Sequence, residues 1–219
     1  MSFDPAFALA IVPSILGGLG STLLVAALSS VGAALLGLLW ELLRRLGRPL
    51  SQIMQFHVDF IRSTPVLVQI YFLYFVLPQY GVRIPTYVVG VFALSFYYSG
   101  YLAEVFRAGI DAIPKGQTEA ARALGLGRLP LICFILLPQM LRNIAAPMGG
   151  YFVSILKATP YLAVIAVPEI LGSAFDVASE TYRYAEPMLV AELLFLALAL
   201  SIAQAVTRLE KKLFRPLTG

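Results

Sequence analysis

Polar residues occur singly inside long apolar stretches of this chain, at spacings that suit holding a charged solute better than breaking a bond. His57, Asp59, Arg62, Thr64 and Gln69 share one stretch; Ser95, Tyr97, Tyr98, Ser99, Tyr101 and Glu104 a second; Arg142, Lys157 and Thr159 a third. No Ser/His/Asp set, no pair of catalytic carboxylates and no His/Glu metal set occurs at usable spacing, so neither catalytic residues nor a bound metal is expected. His57, the only histidine, has no second ligand nearby and reads as a hydrogen-bonded or interfacial side chain. An ionised group inside a bilayer is costly and normally faces protein or water. Each embedded group is therefore a candidate either for a solute path or for a contact between helices.

Arg62, Thr64 and Gln69 either line a path or latch their helix to a neighbour. Asp59 precedes Arg62 by three residues, on the same helical face, so an intrahelical ion pair accounts for both. The patch at Ser95, Tyr97, Tyr98, Ser99 and Tyr101 sits mid-span, where an interfacial aromatic belt explains it poorly. Its rings and hydroxyls suit a cation or zwitterion, and Glu104 follows one to two turns on. Lys157 and Arg142 either hold a substrate carboxylate or snorkel and cap carbonyls at proline and glycine breaks.

Positioning these groups requires a membrane. Of 219 residues, 59% are apolar and 13% charged, where a soluble domain carries about half and about a quarter. The whole chain, 1–219, reads as one integral membrane domain with a core of about 14–213. Net charge +4 does not point to nucleic acid, because the basic residues punctuate apolar runs instead of forming one face. Cys133, the only cysteine, rules out an internal disulfide. Five crossings are expected: Ser14 to Trp40, Leu50 to Leu77, Thr86 to Val105, Leu129 to Leu156 and Pro187 to Val206. The fourth is interrupted by Pro138, Arg142, Pro147 and Gly149-Gly150, and Tyr161 to Leu171 is too short to span, reading as a re-entrant or gate segment. A cleaved signal is not expected, since the first basic residue, Arg44, follows the first apolar run.

Arg44, Arg45 and Arg48, then Arg107, Lys115, Arg122 and Arg128, then Arg208, Lys211, Lys212 and Arg215 place eleven basic residues on one side, against Arg83 and Arg183 on the other. By the positive-inside rule the amino terminus lies outside and the carboxyl terminus in the cytoplasm. Glu180 and Glu186 then lie outside, meeting a binding protein or merely solvated, and Glu192 reaches the outer interface.

The longest cytoplasmic connection, about 107–128, reads RAGIDAIPKGQTEAARALGLGR. Pro114 suits a helix start and Gly125 a left-handed stop, so a short surface helix is expected. Its low-profile alanines, Ala120, Ala121 and Ala123, let another backbone approach, but alone the segment reads rather as a helix lying on lipid headgroups. Glu119-Ala120-Ala121, Gly125 and Ile135-Leu136-Leu137-Pro138 together resemble the EAA loop of permease subunits in binding-protein-dependent ABC importers. RSTPVLVQIYFLYFVLP from Arg62, SGYLAEVFRAGIDAIPKGQ from Ser99, LPQMLRNIAAPMGGYFVSILKATPYLAVIAVPEIL from Leu137 and ASETYRY from Ala178 are similar to the polar amino acid (histidine, glutamine, arginine, opine) branch.

The resemblance implies an all-α integral membrane protein of five transmembrane helices with a cytoplasmic coupling helix, the type I importer permease (MetI-like) fold, in a bacterial inner membrane. It implies translocation of a polar amino acid or related zwitterion, such as an opine or cyclic compatible solute. It implies as partners a second, homologous permease subunit, two copies of a cytoplasmic ATPase, a periplasmic or lipid-anchored binding protein, and membrane lipid. The chain carries no Gly-rich loop ending in Gly-Lys-Ser/Thr, so it is expected to bind no cofactor, with ATP and Mg on the ATPase. The resemblance assigns docking on that ATPase to Glu119, Ala120, Ala121 and Gly125, flanked by Lys115, Gln117 and Arg122. The family commonly has Lys-Asp-Thr-Ser where this chain has Lys157-Ala158-Thr159-Pro160, and Arg-Gly-Thr-Pro where it has Arg62-Ser63-Thr64-Pro65. If the path needs the acid missing at Ala158, a neighbouring permease supplies it, which favours a heterodimer. A secondary transporter or channel for a small polar solute is the alternative, though repeated halves are not evident.

Overall fold

The computed structural model describes residues 3–213. Arg215, counted above among the basic residues, lies outside them. Among the described residues the chain is helical: α1 Pro5–Leu16, α2 Leu19–Arg44, α3 Leu50–Ser63, α4 Val66–Tyr71, α5 Thr86–Asp111, α6 Lys115–Ala123, α7 Arg128–Pro130, α8 Leu137–Ala158, α9 Ile170–Thr181 and α10 Ala185–Leu213. Four helical segments are long and apolar enough to cross a bilayer: Leu19–Arg44, Thr86–Asp111, Arg128–Ile165 and Ala185–Leu209. A fifth is a broken pair, Leu50–Ser63 with Val66–Tyr80, bent by 97°.

The first crossing starts later than expected. Asp4 accepts hydrogen bonds from the N–H groups of Ala6 (3.0 Å) and Phe7 (3.2 Å), capping a separate helix α1. The chain turns at Gly17-Gly18, where a Cβ on Gly18 would lie 2.4 Å from the Glu169 carbonyl carbon. Glycine is required there because two backbones touch.

The second crossing is broken where a single run was expected. Pro65 drives Thr64 to extended backbone (ψ 127°), and the freed carbonyls find side-chain donors. Gln69 Nε2 donates to the carbonyls of Ile61 (3.2 Å) and Thr64 (3.3 Å), and Thr64 Oγ1 donates to that of Phe60 (2.9 Å).

The fourth crossing runs through the breaks expected to interrupt it, with Pro147 inside α8. Tyr161 does not begin a re-entrant segment: Thr159–Ile165 is a 3₁₀ continuation of this crossing, ended by left-handed Ala166 (φ 57°). Ile170 and Leu171 open α9, a helix where the sequence suggests a loop. Two stretches widen to π-helix, Phe72–Val76 and Leu131–Leu136, and each runs into Leu-Pro-Gln, at Leu77 and at Leu137. A helix-interior proline has no N–H and clashes with the carbonyl four residues back, and a π-turn accommodates the misfit. Gln79 Nε2 then donates to the Phe75 carbonyl (3.2 Å) and Gln139 Nε2 to that of Ile135 (2.9 Å).

Four apolar clusters hold the bundle, the smallest of them Ala26, Leu156 and Ala199 between α2, α8 and α10. Ala33, Leu102, Phe106, Met140, Ile144 and Ile155 join α2, α5 and α8. Val25, Ile70, Val89, Leu94, Leu162 and Ile165 join the bend of the second crossing to the 3₁₀ segment, and Ile11, Ile15, Ile170, Ala174 and Val190 join α1, α9 and α10.

Candidate functional site

Helix α6 projects its polar side outward. Pro114 precedes it in extended conformation, and Gly125 closes it at φ +74°. The Gly125 N–H bonds the Arg122 carbonyl and the Leu126 N–H that of Ala121, both at 3.0 Å, the paired closure of a Schellman motif. Lys115, Gln117, Glu119, Ala120, Arg122 and Gly125 are exposed. Ala121 is 2% exposed, facing its own chain, so it anchors the helix and offers no contact surface. The helix packs on the π-helical start of the next crossing, and Gln139 Nε2 reaches Gln117 Oε1 at 3.5 Å.

Three carboxylates and three guanidinium groups alternate in a closed ring where α2 and α5 end. In order, Glu41–Arg44 are 2.5 Å apart, Arg44–Glu104 2.6 Å, Glu104–Arg107 3.6 Å, Arg107–Asp111 3.7 Å and Asp111–Arg45 2.7 Å, and Arg45 returns to Glu41. Glu41 is 1% exposed. Gln55 of α3 accepts from Arg44 (2.7 Å) and Arg107 (3.4 Å). From sequence alone these arginines are topology signals, and Glu41 escapes notice. The i+3 and i+4 spacings in Glu41-Leu-Leu-Arg44-Arg45 and Glu104-Val-Phe-Arg107 are the signal that could have found the ring.

Glu104 also faces the tyrosine patch. A cleft of about 470 Å³ is lined by Tyr101, Glu104, Asn143, Pro147 and Tyr151 among others. Tyr97 and Tyr101 share a hydroxyl contact of 3.1 Å, Tyr98 donates to the Ser154 carbonyl (3.1 Å), and the Tyr101 and Tyr151 rings lie 5.7 Å apart. The Arg62 guanidinium stands 5.4 Å from the Tyr101 ring centre and makes the expected intrahelical ion pair with Asp59 at 3.9 Å, while Asp59 also accepts from Gln55 at 3.0 Å.

Other expected path residues lie elsewhere. Ser95 donates to the Ser29 carbonyl (3.4 Å), and Ser99 accepts from Trp40 Nε1 (2.9 Å), so both are buried between α2 and α5. Thr159 is buried, bonded to the Leu156 carbonyl (2.9 Å), and Gln69 bridges the break of the second crossing. Lys157 and Arg142 are exposed. Ala158, 3% exposed, belongs to the cluster of Val25, Ile70, Leu94 and Leu162. Its methyl completes a core, which removes the premise of the argument from a missing acid to a heterodimer.

The family described as binding-protein-dependent transport system inner membrane component matches residues 33–215. The chain belongs to this family. Its likeness extends to a probable amino-acid ABC transporter permease, y4tG, of Sinorhizobium fredii (37% identical, covering 93% of this chain and 88% of the relative). The arginine transport system permease ArtQ of Bacillus subtilis is 33% identical, with coverage of 97% and 98%. A crystal structure of an amino acid ABC transporter with histidines matches with TM-score 0.89 at 31% identity, over 97% of this chain and 100% of that one. The MetNI methionine ABC transporter shares the fold (TM-score 0.75, 20% identity, coverage 92% and 96%). Membership of a transport permease family sets aside the secondary transporter and channel.

At the opposite end from α6, this inner membrane component carries a second set of charges. Arg183 bonds Glu186, lies 3.6 Å from Asp4 and stacks 4.3 Å from the Phe7 ring centre, while Glu186 also accepts from the Asp4 N–H (3.0 Å). Glu186 is thereby buried, whereas Glu180 and Glu192 are exposed. Glu169, in the turn before α9, is fully buried and caps that helix through the N–H groups of Leu171 (2.9 Å) and Gly172 (2.6 Å). Burial pushes its carboxyl up to about 7 against those two bonds, which favour the charged form.

Proposed function

We propose that the chain is the permease subunit of an ATP-driven importer for a polar amino acid or a related zwitterion. The reading is supported most by α6: a helix started after Pro114 and closed at Gly125, anchored by buried Ala121 and presenting Lys115, Gln117, Glu119, Ala120, Arg122 and Gly125, in a chain whose relatives are named as amino-acid permeases. In this reading α6 lies in the cytoplasm, the amino terminus outside, and two copies of an ATPase bind ATP and Mg and press on α6 as they close. The path runs between this chain and a second permease subunit, identical or homologous. A periplasmic or lipid-anchored binding protein delivers the solute to the side bearing Glu180. The cleft at Tyr101, Glu104 and Tyr151 offers rings and a carboxylate to the solute's cationic group, with Tyr97, Tyr98 and Arg62 packed behind it against Tyr101.

Cysteine at Ala120 in a Cys133→Ser background tests the reading. It should cross-link to the co-expressed ATPase and label only after the membrane is breached. Labelling from outside intact cells would reverse the orientation and overturn the docking role.

A further inference from the structure

The ring of six charges lies between two places where the importer must communicate. One member, Glu104, lines the tyrosine cleft. Another, Asp111, is the last residue of α5, separated from α6 only by Ala112, Ile113 and Pro114. Any displacement of α6 therefore pulls on Asp111 through a three-residue tether. Asp111 is held by Arg45, Arg45 by Glu41, and Glu41 by Arg44, which returns to Glu104.

We propose that this ring locks the α6 ends of α2 and α5 into one rigid body, so that α6 cannot move without carrying both helices and the wall of the cleft. Glu41 is its central positioning residue. The proposal rests on the importer reading above.

Three features support a transmitting role. The ring is neutral and closed, so shifting one member disturbs two neighbours. Glu41 is shielded from water, and solvent cannot replace its two arginine bonds at low cost. Gln55 ties α3 to the same ring, bringing in the broken second crossing. Apolar contacts between α2 and α5 lack this directionality, since packed helices slide by small shear.

Glu41→Gln opens the ring while leaving Arg44 on Glu104 and Arg45 on Asp111, so no guanidinium is stranded. Asp111→Asn opens it at a carboxylate that is 55% exposed, where folding is least at stake. A ring that only stabilised the fold would lower transport and ATP hydrolysis together in these variants. A transmitting ring separates them.

The test uses the complete complex in proteoliposomes, with L-arginine and L-glutamine as probes. Two readouts are taken: amino acid moved per ATP hydrolysed, and the distance between spin labels at Leu42 on α2 and Gln117 on α6, with and without ATP and vanadate. In the wild type the label distance should stay constant on trapping. In Glu41→Gln and Asp111→Asn it should lengthen or broaden, and the transport ratio should fall by at least about twofold. Wild-type label distances in both variants, with an unchanged ratio, would overturn the proposal alone. ATP hydrolysis by the wild-type complex that binding protein and amino acid leave unstimulated, with no uptake of either probe, would overturn the importer reading and this proposal with it.

Discussion

Glu169 is a buried acid that holds together the start of α9 and the turn between α1 and α2, and its titration should be visible in stability. Its carboxyl sits at about 7 against an ordinary 4.5, so the folded state holds its proton more tightly than the unfolded state. A raised pKa contributes stability that is fully present below the unfolded value and is lost as pH rises through the folded one. The window therefore runs from about pH 4.5 to about pH 7, with a plateau above. Each tenfold difference in proton affinity between the two states corresponds to about 1.4 kcal/mol, which sets a ceiling of roughly 3 kcal/mol across the window. Glu169→Gln removes the titration and keeps one carbonyl acceptor for the two N–H groups, at a cost of about 1 kcal/mol. The variant should thus be the less stable protein at about pH 4, below the window, and the more stable one at about pH 8. Thermal unfolding of detergent-solubilised protein, followed by Trp40 fluorescence at both pH values, gives the comparison, and subtracting the variant cancels every other titrating group. Parallel pH profiles for the two proteins would refute the reasoning.

Other substitutions separate anchoring from docking. Ala121→Leu overfills the contact beneath α6 and should cost about 1–3 kcal/mol, seen as lower abundance in the membrane. Ala120→Leu, on the exposed face, should leave abundance unchanged while weakening co-purification of the ATPase. Gly125→Asp places a side chain at φ +74° and should cost about 1 kcal/mol, with transport falling before membrane abundance. Gly18→Ala sets a methyl 2.4 Å from the backbone of Glu169 and should cost at least about 2 kcal/mol, read as a lower midpoint of thermal unfolding.

The extent of helix α6 was legible because its boundaries are local: Pro114 opens it and Gly125 closes it, whatever surrounds it; which way Ala121 faces was not. The number of crossings was legible for a similar reason, since length and apolarity set it. What sequence reading missed depends on distant partners. The turn at Gly17-Gly18 exists because Glu169 packs there, about 150 residues away in the chain. Helix α9 was hidden by Glu180, read with Glu186 as meeting a binding protein or merely solvated, while its buried face of Ile170, Ala174 and Ala178 carried the helical spacing. Ser95 and Ser99 were visible as embedded groups, but only geometry distinguishes a hydroxyl that bonds a neighbouring helix from one that lines a cleft. The i+3 and i+4 pairs of the charged ring lie in the sequence of each helix, but its arginines read there only as topology signals. The ring's closure across α2 and α5 was not legible.

The two π-turns ahead of Leu77-Pro78-Gln79 and Leu137-Pro138-Gln139 carry a consequence for phase. A π-turn holds one residue more than an α-turn, and in an α-helix each residue advances the direction of its side chain by about 100°. Deleting one residue from Leu131–Leu136 would therefore keep the crossing helical but swing the α6 side about 100° round its axis relative to α8. The seat under Ala121 and the reach of Gln139 to Gln117 would be lost together, with nearly every apolar residue still present. A helical wheel drawn through this crossing must restart its count at Leu137.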